Sequence, residues 1–336
     1  MKRLHIFLTH GPHALAHYYG PRALAGLEAL GELRRNDTDE VLSVDDMVKR
    51  AHDCDIIVSY RVQPGSAELL QRLPNLLAFC RCAVDIRNVD VPAASANGIL
   101  VTQASAGFQT SVAEWIVGAM IDLGRSITYA AKAYHRGEVP EARMGVELRG
   151  STLGLIGFGQ IARTLAPIAR AMGMRVLIND PFAKFDATDG QAASFAQVLA
   201  QADFVVPLAV ATPETENLIN AAAFAAMKPT AYFVNASRGN LVDEAALLDA
   251  LNRRAIAGCA MDVGRATDQM PTPALAAHPL VIATPHVAGL TMPAIEHQSL
   301  ETVRQVAEIV QGRFPVGAVN QDAASRLRAW AKGRAA

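Results

Sequence analysis

A glycine-rich turn at residues 157–162 constrains the fold of this chain more than any other segment. Gly157, Gly159 and Ala162 form a Gly-x-Gly-x-x-Ala pattern between an apolar run at 153–156 and an amphipathic segment. The first glycine permits a tight turn, the second allows close approach of the backbone, and the small third residue lets helix and strand pack closely. The pattern predicts a strand, turn and helix of a doubly wound parallel α/β sheet.

The same turn predicts a dinucleotide site, although a chance glycine turn is common in a chain rich in alanine and glycine. The first N–H groups of the following helix, at Gln160 and Ile161, are placed to face a pyrophosphate. The next predicted strand, 175–179, is followed by Asp180, 21 residues after Gly159. An acid at this spacing binds ribose hydroxyls and repels a 2′-phosphate, which favours NAD over NADP.

Short runs rich in Ile, Val and Leu alternate with amphipathic segments along the whole chain, as in parallel βαβ units. The predicted strands are 4–9, 55–60, 76–82, 99–102, 152–156, 175–179, 204–208, 232–235, 259–261 and 281–283. Long helices are predicted over 111–135 and over about 292–311, and a polar tail follows the second. We therefore expect two doubly wound, parallel-sheet α/β units.

Composition and charge argue against several classes of function. The formal net charge is -1 and no basic run occurs, which argues against a nucleic-acid partner. Charges interrupt the longest apolar segments, so no membrane span is expected. The four cysteines stand in apolar, strand-like contexts, and a cluster at His10, His13 and His17 lacks a carboxylate or thiol. We expect no metal site and a cytoplasmic location.

Short motifs spread over nearly the whole chain resemble one known family. They read LPNL at 73–76, SVAE at 111–114, LGLIGFG at 153–159, TPET at 212–215, MKP at 227–229, NASRG at 235–239, LVDEAAL at 241–247 and TPH at 284–286. Together they resemble the D-isomer-specific 2-hydroxyacid dehydrogenases, which include glycerate, glyoxylate/hydroxypyruvate and phosphoglycerate dehydrogenases.

The resemblance implies a Rossmann NAD-binding domain at 104–290, inserted in a flavodoxin-like substrate domain formed by 1–103 and 291–336. It implies hydride transfer between NAD(H) and C2 of a small D-2-hydroxy acid or 2-keto acid bound between the domains. It also implies a homodimer that buries the predicted 111–135 helix. That helix is apolar on more than one face, with Trp115, Ile116, Met120 and Tyr129.

Arg238 and His286 match the family's catalytic pair and suit its chemistry. A guanidinium such as that of Arg238 binds a carboxylate through two parallel hydrogen bonds and polarises a carbonyl. Imidazole is a side chain that gains and loses a proton near neutral pH, so His286 can exchange a proton with the alkoxide. The alternatives are a surface arginine that caps a helix and a structural histidine. The resemblance further implies cofactor contacts at Val112, Ser237 and Asp262.

The sequence departs from the family at the acid that should pair with His286. In the family, the Glu lies five residues after the Asp of an Asp-Val pair. The pair here is Asp262-Val263, so the position of the Glu holds Thr267. If the loop has one extra residue, the role falls to Asp268, whose carboxylate would stabilise the protonated imidazole. Gln269 is the second choice, since the formate-dehydrogenase branch pairs its His with Gln. It also stays open that no acid pairs with this histidine.

A second departure lies in the turn that binds the substrate carboxylate in relatives. The family form Arg-Ala-Gly-Val-Gly-Val-Asp-Asn-Ile-Asp reads RCAVDIRNVD at residues 81–90, so both glycines are absent. Asp85 would repel a substrate carboxylate unless Arg87 or Arg61 neutralises it, or it points into solvent. Val84 and Asp85 of this turn, and Tyr60 and Arg61 after an earlier strand, are the candidate substrate contacts.

These departures leave two other functions open. Some proteins of this fold family are corepressors that use NAD as a conformational signal, and others oxidise formate or phosphite. Arg238 and His286 favour the dehydrogenase. Turnover of NADH with a panel of 2-keto acids separates these possibilities.

Overall fold

The computed structural model describes residues 3–335, which form two compact units. One unit comprises the chain up to Gly107 together with the segment from Thr291 onwards, and the other comprises Phe108–Leu290. Each unit has its own parallel sheet. No helix within the described residues is long and apolar enough to cross a membrane.

The first unit contains a five-stranded parallel sheet of order β2-β1-β3-β4-β5. Its strands are β1 His5–Leu8, β2 Glu32–Arg35, β3 Ile56–Ser59, β4 Ala78–Arg81 and β5 Leu100–Gln103. Its helices up to this point are α1 Pro12–Tyr18, α2 Pro21–Leu30, α3 Val44–Ala51, α4 Ala67–Gln71 and α5 Val91–Ala96. Strands β3 and β4 are buried at every position because helices cover both faces of a parallel sheet.

The second unit contains a seven-stranded parallel sheet of order β12-β11-β10-β9-β6-β7-β8. Its strands are β6 Thr152–Ile156, β7 Arg175–Asn179, β8 Gln191–Ala192, β9 Phe204–Pro207, β10 Tyr232–Asn235, β11 Gly258–Met261 and β12 Val281–Ala283. Its helices are α6 Gln109–Arg125, α7 Ile127–His135, α8 Gln160–Ala171, α9 Phe195–Gln201, α10 Ala221–Ala225, α11 Glu244–Asn252 and α12 Pro273–Ala276. The sequence did not predict the edge strands β2 and β8, which are polar and mostly exposed.

The single helix predicted over 111–135 is wrong, because the chain breaks into α6 and α7 at Ser126. Ser126 has a φ of 53°, in the left-handed region, and its N–H closes α6 on the carbonyl of Asp122. The carboxylate of Asp122 then accepts hydrogen bonds from the backbone N–H, at 2.7 Å, and the hydroxyl of Thr128. This carboxylate satisfies a donor in the first turn of α7, so α7 begins as a separate helix.

The polar C-terminal tail has structure that the sequence did not predict. After α13, Met292–Val310, the chain pairs with β5 through Val319 and Asn320 and then forms α14, Ser325–Ala335. Ala324 and Leu327 are fully buried in the core of the first unit. The final helix was missed because most of its side chains are polar or small, and the apolar side chains of Leu327 and Trp330 give too weak a periodic signal.

Leu327→Ala tests whether the C-terminal helix is part of this core. We expect a loss of about 2–5 kcal/mol in the free energy of unfolding, because a buried leucine leaves a cavity. Urea denaturation followed by circular dichroism measures it. Lys332→Ala, at an exposed position of the same helix, should change the value by no more than about 0.5 kcal/mol. Equal values for the two variants would contradict the assignment.

Candidate active site

The glycine turn after β6 has the geometry that its sequence predicts. Gly157 has a φ of +97°, and a Cβ on it would lie 2.5 Å from the nitrogen of Ala209 and 2.7 Å from the carbonyl carbon of Leu208. These neighbours are backbone atoms that cannot move aside. Only glycine fits this position, for both steric and conformational reasons.

The start of α8 is open to an anionic group. Gly159 is the N-cap residue, it offers no side chain to the first N–H groups, and a Cβ on it would meet nothing within 4 Å. Gln160 and Ile161 form the first turn, and the exposed Gln160 accepts a hydrogen bond from Gln109 at 3.3 Å. Open N–H groups at the positive end of a helix dipole fit the pyrophosphate of a dinucleotide.

Asp180, after β7, is tied to the glycine turn by its carboxylate. It accepts N–H groups from Phe158 at 2.7 Å, from Phe182 at 2.8 Å and from Ala183 at 2.9 Å. Partial burial alone would raise the pKa of Asp180, but these three donors outweigh it and hold the pKa below its usual value. The carboxylate of Asp180, which directly follows β7, therefore also fixes the glycine turn.

Arg238 lies in a compact turn after β10. Asn235 ends that strand and bonds both sides of the turn: its Nδ2 donates to the Arg238 carbonyl at 3.0 Å and its Oδ1 accepts from the Ser237 N–H at 3.1 Å. The Ser237 hydroxyl donates to the carbonyl of Pro207 at 2.9 Å. The half-buried Arg238 donates through Nη1 to the Ser237 carbonyl at 2.7 Å. Ser237 thus anchors the turn to β9.

His286 is held in one tautomer after β12. Its backbone adopts a left-handed φ of 56°, and its N–H donates to the Asp262 carbonyl at 2.9 Å. Its Nδ1 lies 2.7 Å from the backbone carbonyl oxygen of Asp268. A carbonyl can only accept, so Nδ1 carries the proton in this contact. Nε2 is then the ring nitrogen suited to exchange a proton with a substrate.

Asp262, after β11, is buried beneath this turn. Its carboxylate accepts the Thr284 hydroxyl at 2.6 Å and the N–H groups of Val287 at 2.8 Å and Ala288 at 2.9 Å. These bonds hold the chain on both sides of His286. Val112 is buried on α6 beside Gly289, the next residue along this turn.

The loop that replaces the family's acid approaches His286 through its backbone. Asp268 and Gln269 both have left-handed φ angles, 53° and 57°. In this backbone conformation, the carbonyl of Asp268 accepts a hydrogen bond from the imidazole of His286. Thr267 is exposed, and the side-chain oxygen of Gln269 is buried without a hydrogen-bond partner among the described residues. A backbone contact of this kind could not be read from side-chain identity.

In the first unit, Asp85 forms an ion pair with Arg87. The guanidinium donates through Nε to both carboxylate oxygens at 3.0 Å and through Nη2 to one at 2.6 Å. The Arg87 N–H donates to the same carboxylate at 2.9 Å. Neither Ala83 nor Asp85, which replace the family's glycines, has a positive φ, so this turn does not need glycine. The half-buried Val84 lies between them.

Sequence reasoning missed that Arg81 holds this turn. Only 2% exposed, it donates to the carbonyls of Tyr60 at 2.7 Å, Gln63 at 3.1 Å and Asp85 at 3.1 Å, and also to that of Arg61. Burial lowers the pKa of Arg81 to about 10, so the guanidinium stays charged near neutral pH. It therefore joins the segment after β3, which includes two candidate substrate contacts, to the turn after β4.

The histidines after β1 do not gather as a metal site. His10 is fully buried between the rings of Tyr19, 4.7 Å away, and Tyr60, 4.9 Å away. Burial, together with the charge of Arg81, lowers its pKa to about 3, so the ring is neutral. The rings of His13 and His17 stack on each other. Within residues 3–335, no three His, Cys, Asp or Glu side chains are grouped to hold a metal ion.

Comparison with known proteins identifies the family. Residues 117–288 match the profile of the D-isomer specific 2-hydroxyacid dehydrogenase, NAD binding domain. The chain belongs to this family. The expected family, α/β fold and NAD-binding domain are thereby confirmed.

Two relatives and two solved structures show the extent of the likeness. The chain is 39% identical over 247 residues to the (S)-sulfolactate dehydrogenase of Chromohalobacter salexigens, covering 71% of this chain and 79% of that protein. It is 31% identical over 316 residues to the D-3-phosphoglycerate dehydrogenase of Synechocystis, covering 91% of this chain but only 57% of the relative. D-lactate dehydrogenase from Escherichia coli superposes with a TM-score of 0.81 at 26% identity, covering 94% of this chain and all of that one. D-2-hydroxyisocaproate dehydrogenase superposes with a TM-score of 0.85 at 21% identity and the same coverage, and this likeness shows the fold alone.

Asp180→Asn tests the link between this carboxylate and the glycine turn. The amide keeps one acceptor oxygen, and its NH2 group faces backbone donors instead of accepting them. We expect the Kd for NADH to rise about tenfold, the equivalent of one lost hydrogen bond. Fluorescence titration of NADH measures it, with Asp189→Asn in the following loop as control.

The same position gives a pH dependence. Because the pKa of Asp180 is depressed in the folded chain, its contribution to stability is complete above its unfolded pKa of about 3.9. That contribution is lost only as the pH falls through the lower pKa of the folded chain.

Unchanged NADH affinity in Asp180→Asn would contradict the role of the carboxylate in holding the glycine turn.

Proposed function

We propose that this chain is an NAD-dependent D-2-hydroxyacid dehydrogenase whose second unit binds the cofactor and whose first unit binds the substrate. One observation carries the proposal. Strands β10, β11 and β12 are adjacent and parallel, so the turns that follow them, with Arg238, Asp262 and His286, lie at one edge of the sheet. The glycine turn after β6 and Asp180 after β7 lie at the same edge, where open α/β sheets bind ligands.

The residues at this edge divide the reaction between them. We assign to Arg238 the binding of the substrate carboxylate and the polarisation of the carbonyl oxygen, since its donors form a rigid fork. We assign to His286 the transfer of a proton through Nε2 to the alkoxide, or from the hydroxyl in the reverse direction. Gly157, Gly159, Gln160, Ile161, Asp180, Val112, Ser237 and Asp262 would hold the cofactor. Bound NAD(H) supplies or accepts the hydride.

The altered substrate turn is compatible with an acidic substrate. The ion pair with Arg87 neutralises Asp85, so the repulsion expected from an isolated carboxylate is largely removed. We propose Tyr60, Arg61 and Val84 as contacts on the same unit. Since the relatives include a sulfolactate and a phosphoglycerate dehydrogenase, the substrate panel should contain 2-keto acids with and without a second acidic group.

A screen of this panel with NADH and NADPH tests the proposed function. We expect reduction of at least one 2-keto acid with NADH and a lower KM for NADH than for NADPH. His286→Gln should lower kcat by roughly 100- to 10,000-fold, the usual contribution of a general acid. His278→Gln is the matched control, because His278 lies before β12, at the opposite end of that strand. NADH binding without turnover of any 2-keto acid would favour a sensor or corepressor over the dehydrogenase.

Asp268→Asn separates orientation of His286 from charge. The substitution keeps the backbone carbonyl that accepts from Nδ1 but removes the carboxylate. We propose that this carboxylate stabilises the protonated imidazole, so its loss should lower kcat for keto-acid reduction and move the alkaline limb of the pH–rate profile, where the general acid has lost its proton, to lower pH. Gln269→Ala should have a much smaller effect. The reverse ranking would transfer the role to Gln269.

A homodimer is proposed through the second unit. The side chains of Ile127 and Tyr134 on α7 and of Val139 and Met144 in the segment that follows are exposed, and contact with a second copy would remove this apolar surface from water. We expect sedimentation at micromolar concentration to give twice the mass of one chain. Met144→Asp should weaken the dimer, whereas Val316→Asp, at an exposed site of the other unit, should not. A monomeric unmodified protein would contradict the proposal.

The state of the cysteines supports a reducing compartment, and we propose the cytoplasm. All four thiols are free and buried. Burial raises the pKa of both Cys80 and Cys82 to about 12, so neither is a reactive thiolate near neutral pH.

A further inference from the structure

The side chain of Arg265 links the loop beside His286 to the turn that carries Arg238. Its Nη1 donates to the carboxylate of Glu216 at 2.6 Å. Its Nη2 donates to the side-chain oxygen of Asn217 at 2.6 Å and to the carbonyls of Asn240 at 3.0 Å and Val242 at 3.1 Å. The last two belong to the turn directly after Arg238. One guanidinium therefore contacts two segments outside its own loop.

The backbone of Arg265 is held from the same direction. Its N–H donates to the carboxylate of Glu244 at 2.7 Å, and the other oxygen of that carboxylate accepts the Thr272 hydroxyl at 2.7 Å. Glu244 is the first residue of α11, which follows the Arg238 turn. Its carboxylate therefore binds the loop near both ends, at Arg265 and at Thr272. A Cβ at Gly264 would lie 2.5 Å from this carboxylate, so the packing there leaves no room for a side chain.

The loop at residues 264–270 contains the carbonyl of Asp268, which orients His286. Four internal hydrogen bonds close it. The Gly264 N–H donates to the Gln269 carbonyl at 2.6 Å and the Ala266 N–H to the Met270 carbonyl at 2.9 Å, and the N–H groups of Gln269 and Met270 donate to the carbonyls of Ala266 at 3.0 Å and Thr267 at 3.2 Å. Between them stand two consecutive left-handed residues, the first of which is Asp268. Such conformations cost free energy and persist only where surrounding contacts determine them. The contacts of Arg265 and Glu244 hold this loop to the turn after Arg238 and to the start of α11.

We propose that Arg265 is a positioning residue that couples the turn of Arg238 to the carbonyl group that orients His286. The proposal rests on the proposed function. An arginine suits the task because its planar fork reaches several acceptors in fixed directions, whereas the ammonium of a lysine has no such geometry. Removing the guanidinium frees the loop, and the Asp268 carbonyl no longer selects the Nδ1–H tautomer. Part of the His286 population then carries its proton on Nε2, which is the wrong tautomer to accept one there.

The test is Arg265→Met, which keeps the apolar stem of the side chain, with Arg265→Lys as the conservative variant. Arg253→Met is the matched control, since Arg253 is an exposed arginine of the same unit whose guanidinium pairs with Asp249, four residues earlier in the chain. We expect kcat of Arg265→Met to fall about 10- to 100-fold, the range for a misplaced catalytic group. The Kd for NADH should change little, and Arg265→Lys should recover part of the loss.

A spectroscopic readout makes the test independent of the substrate. In protein labelled with ¹⁵N-histidine, the ring signals of His286 are those that disappear in the spectrum of His286→Gln, and the spectra are recorded at a pH at which the imidazoles are neutral. We expect the unmodified protein and Arg253→Met to show one neutral tautomer with the proton on Nδ1, and Arg265→Met to show a mixture.

The outcomes of the two readouts are distinct. Unchanged kcat and an unchanged tautomer in a folded Arg265→Met would overturn the inference. So would a lower melting temperature with unchanged kcat and tautomer, because a purely structural role predicts that result. If the unmodified protein reduces no 2-keto acid, the proposed function fails, and the tautomer of Arg265→Met still decides whether Arg265 positions His286.

Discussion

The buried carboxylate of Asp262 is the constraint on which the geometry of the candidate site depends. It accepts three donors from the chain on either side of His286. The backbone of Asp262 adds an N–H donated to Asn235 and a carbonyl that accepts from His286. The ends of β10, β11 and β12 are thus joined through one residue. A buried charge is tolerated only when hydrogen bonds replace its hydration. Loss of any one of these three donors would therefore leave part of the buried carboxylate without a hydrogen bond.

The first unit solves the same problem with the opposite charge. Arg81 ends β4, and its buried guanidinium donates to carbonyl groups in the segment after β3 and to Asp85 in the turn after β4. In both units, a charged side chain at the end of an inner strand satisfies backbone groups of the neighbouring turns. Parallel sheets favour this arrangement, because their strand ends lie side by side and the loops beyond them have no ladder partners.

The sequence predicted the parts of the fold in which burial dictates residue type. The inner strands read as apolar runs, and β6, β7, β10 and β12 begin and end at the predicted residues. The edge strands β2 and β8 carry no such signal because their residues are polar and mostly exposed. Serine is not a residue type that marks a helix break, so the break at Ser126 could not be predicted from it. The break depends on the hydrogen bonds that the Asp122 carboxylate accepts from Thr128. Motifs predicted Arg238, His286 and the glycine turn as candidates. They did not predict Arg81, Glu244 or Arg265, whose importance comes from contacts with residues distant in the chain.

The loop beside His286 separates two tasks that one carboxylate usually performs together. An acid bonded to a histidine fixes the tautomer and also stabilises the protonated ring by its full charge. A backbone carbonyl fixes the tautomer equally well, since it accepts the same hydrogen bond, but it carries only a partial charge. Here the carbonyl of Asp268 makes the contact, and its position depends on backbone conformation rather than on a side-chain rotamer. The orientation of the histidine is therefore controlled by what holds the loop, and residues such as Arg265 that touch neither the imidazole nor the glycine turn gain influence over the chemistry.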